Sequence, residues 1–392
     1  MTESYPSLVS NWNYPTKMRF GPGRISELAD ACRVLGIKRP LLVTDPGLRP
    51  LPMIMDAIGS LEQAGLAAGL FSEVHSNPVG ADVEAGLKIY KTGLHDGVIV
   101  FGGGSAMDAG KAIAFMSGQS RPIWDYEDRE DWWTRADPKG IAPIIAVPTT
   151  SGTGSEVGRA AVITDERDHT KKIIFHPRMQ PAEVIADPEL TLCLPPHITA
   201  ATGMDALSHN LEAYCSPFWH PMAQGIALEG MRLIKDWLPV ATRDGKNIEA
   251  RAYMMAASSM GATAFQKGLG AMHSMSHPCS SLKGTHHGLT NAVVMPYVLV
   301  HNRAAIEDKL AAAARYLDLK EKSFDGFLHW ILDLRRELNI PNTLHEIGID
   351  TAHIPQLAPM ALDDPSTGGN PLPMDLAAYE KLFRDAIEGK LT

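Results

Sequence analysis

The sequence predicts two domains of different class: an α/β N-terminal domain with a mostly parallel sheet covered on both faces, and an all-helical C-terminal domain. Three observations predict this. Up to about residue 190, short β-rich runs alternate with stretches of helical spacing, the pattern of parallel strands and their crossover helices. Beyond LPPHITAATG, strand signals nearly vanish and Ala-, Met- and Leu-rich segments of helical period take over. Finally, 392 residues exceed what one hydrophobic core ordinarily organises. The boundary is expected near Leu194–Pro196, giving domains 1–194 and 195–392.

In the first domain, PLLVTD (40–45), DGVIVFGGGS (96–105) and IAPIIAVPTTSGTGS (141–155) each read as a buried strand running into turn residues. PMIMDAIGSLEQAGL and ADVEAGLKIYKTGL, between them, have helical spacing. WDYEDREDWWTRADPKG (124–140) is acidic and aromatic, and is expected to be a surface loop. In the second domain EGMRLIKDWLPVATR, EARAYMMAASSMGATAF, AAIEDKLAAAARYL and FDGFLHWILDLRREL are the helical segments.

Composition narrows the function classes. Hydrophobic residues at 45% and charged residues at 21% describe a soluble globular protein. A net charge of -9 disfavours nucleic acid as a partner. No apolar run approaches the roughly 20 residues that span a bilayer, so no membrane partner is expected. The N-terminal stretch has neither a basic segment nor an apolar core, so no signal peptide is expected. Cys32, Cys193, Cys215 and Cys279 are scattered, with no C-x-x-C pair, which indicates neither a disulfide framework nor a thiolate zinc site. A cytoplasmic location follows as the expectation.

Two loops suit a nucleotide. FGGGSAMDAGKA leaves a β-rich run and opens a helix, where Gly103 and Gly104 allow close backbone approach and the helix N-terminus offers unpaired N–H groups. Ser105 and Asp108 have the spacing of a capping box, with Asp in place of Glu. The pattern is neither G-x-G-x-x-G nor a P-loop, and alone it is equally a tight strand-to-helix turn. VPTTSGTGSEV adds Thr149, Thr150 and Thr153 at a second strand end, able to hold ribose and phosphate. Together the loops point to a dinucleotide. Asp45 closes the first strong strand, where a carboxylate binds ribose hydroxyls and repels a 2′-phosphate, favouring NAD over NADP. Judged alone, Asp45 is equally a turn former before Pro46-Gly47.

Downstream, Asp205 and His209 in TGMDALSHNLEAY are four apart on one helix face, as are His273 and His277 in AMHSMSHP, and His287 follows in GTHHGLTNAVVMP. With fifteen histidines in the chain, single i,i+4 pairs are expected by chance. The clustering of two pairs and a His-His-Gly step is what points to a metal. One carboxylate with three imidazoles suits a divalent ion such as Fe²⁺, Zn²⁺, Mn²⁺ or Co²⁺ and leaves positions open for substrate.

GGGSAMDAGKA, VPTTSGTGSEV, TGMDALSHNLEAY, HSMSHP and HHGLTNAVVMP occur in the order and spacing of the iron-containing (group III) alcohol dehydrogenases, which the chain resembles from FGPG to its C-terminal helix. The resemblance implies a Rossmann-like domain followed by a helical domain, the dehydroquinate synthase-like fold, with the active site in the cleft between them. It implies Asp205, His209, His273 and His287 as ligands of one divalent metal, Fe²⁺ first and Zn²⁺ or Mn²⁺ as alternatives. His277 matches a non-ligating active-site histidine, a candidate proton relay. Gly103, Gly104, Ser105, Asp108, Thr149, Thr150 and Thr153 match the cofactor loops. Asp45, Asn77 and Lys172 match weaker cofactor positions.

The implied activity is reversible, metal-dependent hydride transfer between NAD(H) and a small primary alcohol, diol or hydroxy acid and its aldehyde, in a homodimer or higher homo-oligomer. The intact ligand set disfavours the metal-free maleylacetate reductase branch. A dehydroquinate-synthase-like lyase is the same-fold rival, although those enzymes carry Glu at the first ligand position and need several basic residues; a glycerol-type polyol dehydrogenase stands beside it. A non-enzymatic, nucleotide-responsive assembly protein is the remote one. His287 is preferred to His286 because it precedes the motif glycine.

Overall fold

A computed structural model describes residues 10–12, 16–168 and 170–391. Its strands are β1 (Ser10–Trp12), β2 (Lys17–Phe20), β3 (Pro40–Val43), β4 (Gly69–Phe71), β5 (Gly97–Gly102), β6 (Ile144–Pro148), β7 (Ala160–Asp165), β8 (Thr170–Phe175) and β9 (Glu183–Ala186). By contacts the chain divides into two units. One runs up to Thr150 and includes Gly154–Cys193; the other joins Ser151–Thr153 to everything from Leu194 onward.

In the first unit, seven strands form one sheet in the order β1-β2-β9-β6-β5-β3-β4, parallel except for the antiparallel β1–β2 pair. The helices are α1 (Leu28–Val34), α2 (Pro52–Gln63), α3 (Gly80–Thr92) and α4 (Gly104–Met116). Strands β3, β5 and β6 are buried at every residue, as expected of parallel strands covered on both faces. Leu28, Ile54 and Leu61 of α1 and α2 join Leu42, Ile99, Phe101, Ile145 and Val147 in one apolar core.

The chain steps from β3 outward to β4, then returns across β3 to β5. The strand order therefore reverses between β3 and β5, a switch point where open α/β sheets bind ligands at the carboxyl ends of their strands. Asp45 follows β3 and Gly103 follows β5, so they flank this point. Gly102, at φ 155°, makes the sharp turn there; a Cβ on it would lie 2.7 Å from that of Ala106. The antiparallel hairpin β7–β8 is a separate two-stranded sheet.

The second unit is helical: α5 (Pro196–Cys215), α6 (Pro221–Arg243), α7 (Ile248–Ala264), α8 (Ala271–Lys283), α9 (His287–His301), α10 (Arg303–Tyr316), α11 (Phe324–Glu337), α12 (Ile354–Leu362) and α13 (Leu376–Glu388). Helix α5 packs against α6, α7 and α9, and every residue from Thr199 to Cys215 is buried. A helix buried all round must satisfy its polar side chains internally, since each orphan costs about 1–3 kcal/mol. Ser208 donates to the Asp205 carbonyl, and the Asn210 amide donates to the carbonyls of Ala206 and Ala257. At its C-terminus Lys267 Nζ donates to the carbonyls of Ala213, Tyr214 and Ser216, and Lys309 Nζ to those of Cys215 and Ser216. Both cations complement the negative end of the helix dipole.

Contact between α9 and α5 is close enough to require glycine. A Cβ on Gly288 would stand 2.4 Å from the Ala201 carbonyl oxygen and 2.8 Å from the Asp205 Cβ. Among the described residues no helix is long and apolar enough to cross a membrane. Because backbone at 2.4 Å cannot yield, Gly288→Ala is expected to cost about 1–3 kcal/mol by overpacking. Urea unfolding measures it; a change below about 0.5 kcal/mol would show that the α5–α9 contact tolerates the methyl group.

Candidate metal centre and nucleotide loops

Three helices of the second unit supply the candidate centre. Asp205 projects from the middle of α5, His273 from the first turn of α8, and His287 is the first residue of α9. One ligand atom from each of Asp205, His273 and His287 lies within 4.8 Å of the others, and His287 Nε2 is 3.6 Å from Asp205 Oδ1. Asp205 and His273 are almost completely buried. His209 stands outside that trio but stacks on His273, with centroids 4.7 Å apart and planes at 23°.

Hydrogen bonds decide which nitrogen each imidazole offers. The partner of His209 Nδ1 is the Gly152 carbonyl at 3.2 Å, which can only accept, so Nδ1 carries the proton. For His273 Nδ1 it is the Glu212 carboxylate at 2.6 Å, and for His277 Nδ1 the Asp364 carboxylate at 2.7 Å. Ser276 Oγ donates to the His287 carbonyl, which leaves the oxygen to accept from His287 Nδ1 at 2.8 Å. All four rings therefore keep Nε2 as a lone-pair donor. The Asn291 amide agrees: its Nδ2 donates to Asp205 Oδ1 at 2.9 Å and faces the Nε2 atoms of His287 and His273 at 3.2 and 3.3 Å. One buried carboxylate with imidazole Nε2 lone pairs is a donor set that fits a borderline divalent metal.

The electrostatics are consistent with this. Burial pushes the His209 imidazole down to about 4, so it is neutral near pH 7. For His273 burial also opposes the charge, but the Glu212 hydrogen bond and the charges of Glu212 and Asp205 outweigh it and raise the pKa. Negative charges that favour a proton on this ring favour a cation at the same place.

His286 and His287 have separate tasks. His286 caps α9, its Nδ1 accepting from the Leu289 N–H at 3.3 Å. His277 stacks on His287, with centroids 5.1 Å apart and planes at 13°. Glu212, Asn291, Ser276 and Asp364 were not singled out from sequence. Glu212 lies seven residues after Asp205 and Asn291 four after His287, so helical spacing could have marked both. Asp364 is 87 residues from His277, and no local signal announces it.

In the first unit, Gly103 is the N-cap of α4 and Gly104 its first residue. A Cβ on Gly103 would meet the Thr150 side chain at 3.3 Å, so the two small-residue loops touch. Thr149 N–H donates to the Gly102 carbonyl, tying β6 to the same turn. The capping box expected of Ser105 and Asp108 is not formed, because tertiary partners take both side chains. Ser105 Oγ donates to the Ser76 carbonyl, fastening the loop that carries Asn77. Asp108 accepts from Ser155 Oγ at 2.6 Å and the Val162 N–H at 3.0 Å. Beside it, buried Lys111 donates to Ser155 and to the Ala160 carbonyl.

Asp45 Oδ1 accepts from the N–H groups of Gly47 and Leu48, the turn-forming role; its Oδ2 lies 3.5 Å from where a Cβ on Gly102 would be. Lys172 pairs with Asp165 at 2.5 Å and Asp168 at 3.1 Å and lies over the Trp124 ring. Thr153 belongs to the helical unit by its contacts. The 124–140 segment is not purely a surface loop: it contains short 3₁₀ turns, and Tyr126 and Ala136 pack inward, Tyr126 edge-on to Phe115.

Comparison with known proteins assigns both halves. The family model for iron-containing alcohol dehydrogenase matches residues 15–188, and that for the C-terminal part of the Fe-containing alcohol dehydrogenase family matches residues 199–387. The chain is 38% identical over 384 residues to 4-hydroxybutyrate dehydrogenase of Cupriavidus necator, covering 95% of this chain and 99% of the relative. It is 31% identical to the NAD-dependent methanol dehydrogenase of Bacillus methanolicus, covering 97% and 100%. The crystal structure of a 1,3-propanediol oxidoreductase superposes with a TM-score of 0.89 at 34% identity, covering 94% of this chain and 97% of that one. Both halves matched in order, and relatives matched along nearly their whole length, place the chain in the iron-containing alcohol dehydrogenase family, as an enzyme of NAD-linked alcohol oxidoreduction.

Proposed function

We propose that this dehydrogenase works through one divalent metal held by Asp205, His209, His273 and His287, and that it oxidises a small primary alcohol, diol or hydroxy acid reversibly to the aldehyde with NAD. The observation that supports it best is the convergence of Asp205, His273 and His287 within 4.8 Å, with the imidazoles presenting Nε2. Iron is the ion that family membership favours, with Zn²⁺ or Mn²⁺ as alternatives of the same donor preference. When bound, the ion supplies Lewis acidity toward a substrate oxygen and the nicotinamide accepts or returns the hydride.

The chain's own residues do the rest. Asp205 and Glu212 place two buried negative charges beside the imidazoles, offsetting the charge of a dication. His277 is the proton relay of this proposal. Its Nδ1–H is fixed on Asp364, so Nε2 is the atom able to take a proton from an alcohol and pass it on. Residues 1–194 act as the nucleotide-binding domain, with Gly103, Gly104, Ser105, Asp108, Thr149, Thr150 and Thr153 shaping its loops, and residues 195–392 as the catalytic one. Asp45, beside the Gly102 turn, favours NAD over NADP by repelling a 2′-phosphate, and Asn77 and Lys172 are secondary cofactor positions. The substrate class draws on the hydroxy acid, diol and methanol named for the relatives. A cytoplasmic homodimer or higher homo-oligomer completes the proposal.

Exhaustive chelation is expected to abolish activity, and Fe²⁺ or Zn²⁺ to restore it. Asp205→Ala and His273→Ala should lose metal and turnover while still quenching NADH fluorescence on binding. Full activity in chelated, metal-free protein would rule out the metal. For His277→Ala, kcat should fall by about 10²–10⁴ with metal content unchanged and a pH–rate profile that has lost one limb. An unchanged kcat and profile would remove His277 from the chemistry. Short alcohols, diols and ω-hydroxy acids assayed in parallel identify the substrate class.

A further inference from the structure

Glu212 sits on α5, seven residues after Asp205 and three after His209, so one face of this buried helix carries all three. Its side chain is 5% exposed, and both carboxylate oxygens are engaged. Oε1 accepts from the Met272 N–H at 2.7 Å and Oε2 from His273 Nδ1 at 2.6 Å. The first engagement serves α8, whose N-cap is Gly270 and which has no side-chain cap of its own; an anion is favoured at that helix end. The second lies on the far side of the His273 ring from Asn291, which faces Nε2. His273 is thus held at both nitrogens.

We infer that Glu212 is the positioning residue of the metal centre: its carboxylate locks His273 with the proton on Nδ1 and the Nε2 lone pair turned toward Asp205 and His287. This rests on the metal reading above and deepens it. An acceptor on the outer nitrogen of a ligating imidazole fixes its tautomer and orientation and raises its basicity. A carboxylate does this while adding negative charge opposite a dication. The same group ties α5, which carries Asp205 and His209, to the first turn of α8, which carries His273.

Glu212→Gln separates this role from simple capping. An amide has one acceptor oxygen, and the Met272 N–H can only donate, so the oxygen stays with Met272. The amide NH₂ then faces His273 Nδ1, which must become the acceptor, and the ring proton moves to Nε2, into the centre. The experiment titrates metal-free wild type and Glu212→Gln with Co²⁺, following visible absorption and chelator competition, with thermal melts of both metal-free proteins. The variant is expected to fold and bind NADH like wild type, and to bind Co²⁺ about 10–100-fold more weakly. Equal Co²⁺ affinity in the two proteins would overturn the inference and leave the metal centre standing. Absence of Co²⁺ binding in wild type would overturn the metal reading and the inference with it. The ¹⁵N shifts of His273 in metal-free wild type give an arm independent of the variant's folding. They should report the Nδ1–H tautomer, and the Nε2–H tautomer would overturn the inference.

Discussion

An imidazole has two nitrogens, and in its neutral form only one can offer a lone pair. Where the other is bonded therefore decides whether a cluster of histidines is a ligand set or only a cluster. Around Asp205 that decision falls the same way four times: Gly152, Glu212, Asp364 and Ser276 each take the Nδ1 side of a different ring. These acceptors come from two helices and two loops. The centre is thus a property of how the helical unit packs, and much of that packing can be read as support for these four bonds.

Helix α5 carries most of the burden. It is buried along nearly its whole length yet holds an aspartate, a histidine, an asparagine and a glutamate. Such a helix depends on partners for most of its polar groups, above all the charged ones, since charged orphans cost still more than neutral ones. Its last carbonyls are met by Lys267 and Lys309, its Asp205 by Asn291 and its Glu212 by α8. Gly288 and Gly152 bring backbone against it at distances no side chain would allow. Polar groups fixed this firmly provide the preorganisation that a metal centre and hydride transfer both require.

What the sequence disclosed depended on the range of the interaction. The two-part architecture was legible because hydrophobic period changes from alternating strand and helix to helix alone near Leu194. Asp205 and His209 were legible as a pair because four residues make one helical turn, and Gly103 because it lies where a β-rich run opens into a helix. Glu212 was visible three residues after His209 and seven after Asp205, on the same helix face, but passed over, since a glutamate on a helix ordinarily faces water. Asp364 and Gly152 could not be read, because loops distant in sequence bring them to His277 and His209. Local grammar also misled once: Ser105 and Asp108 have the spacing of a capping box, but tertiary hydrogen bonds claim both. The aromatic segment around Trp124 looked like loop because its acidic residues mask the few side chains that turn inward.

The central claim is that one divalent ion sits where the Nε2 atoms of three histidines and the Asp205 carboxylate converge. Diffraction from a crystal of iron-reconstituted protein, recorded on both sides of the iron absorption edge, tests it most directly. The account predicts a single strong anomalous peak about 2.0–2.3 Å from Asp205 and from the Nε2 atoms of His209, His273 and His287. A peak elsewhere, or none at this position in protein shown to contain iron, would contradict it.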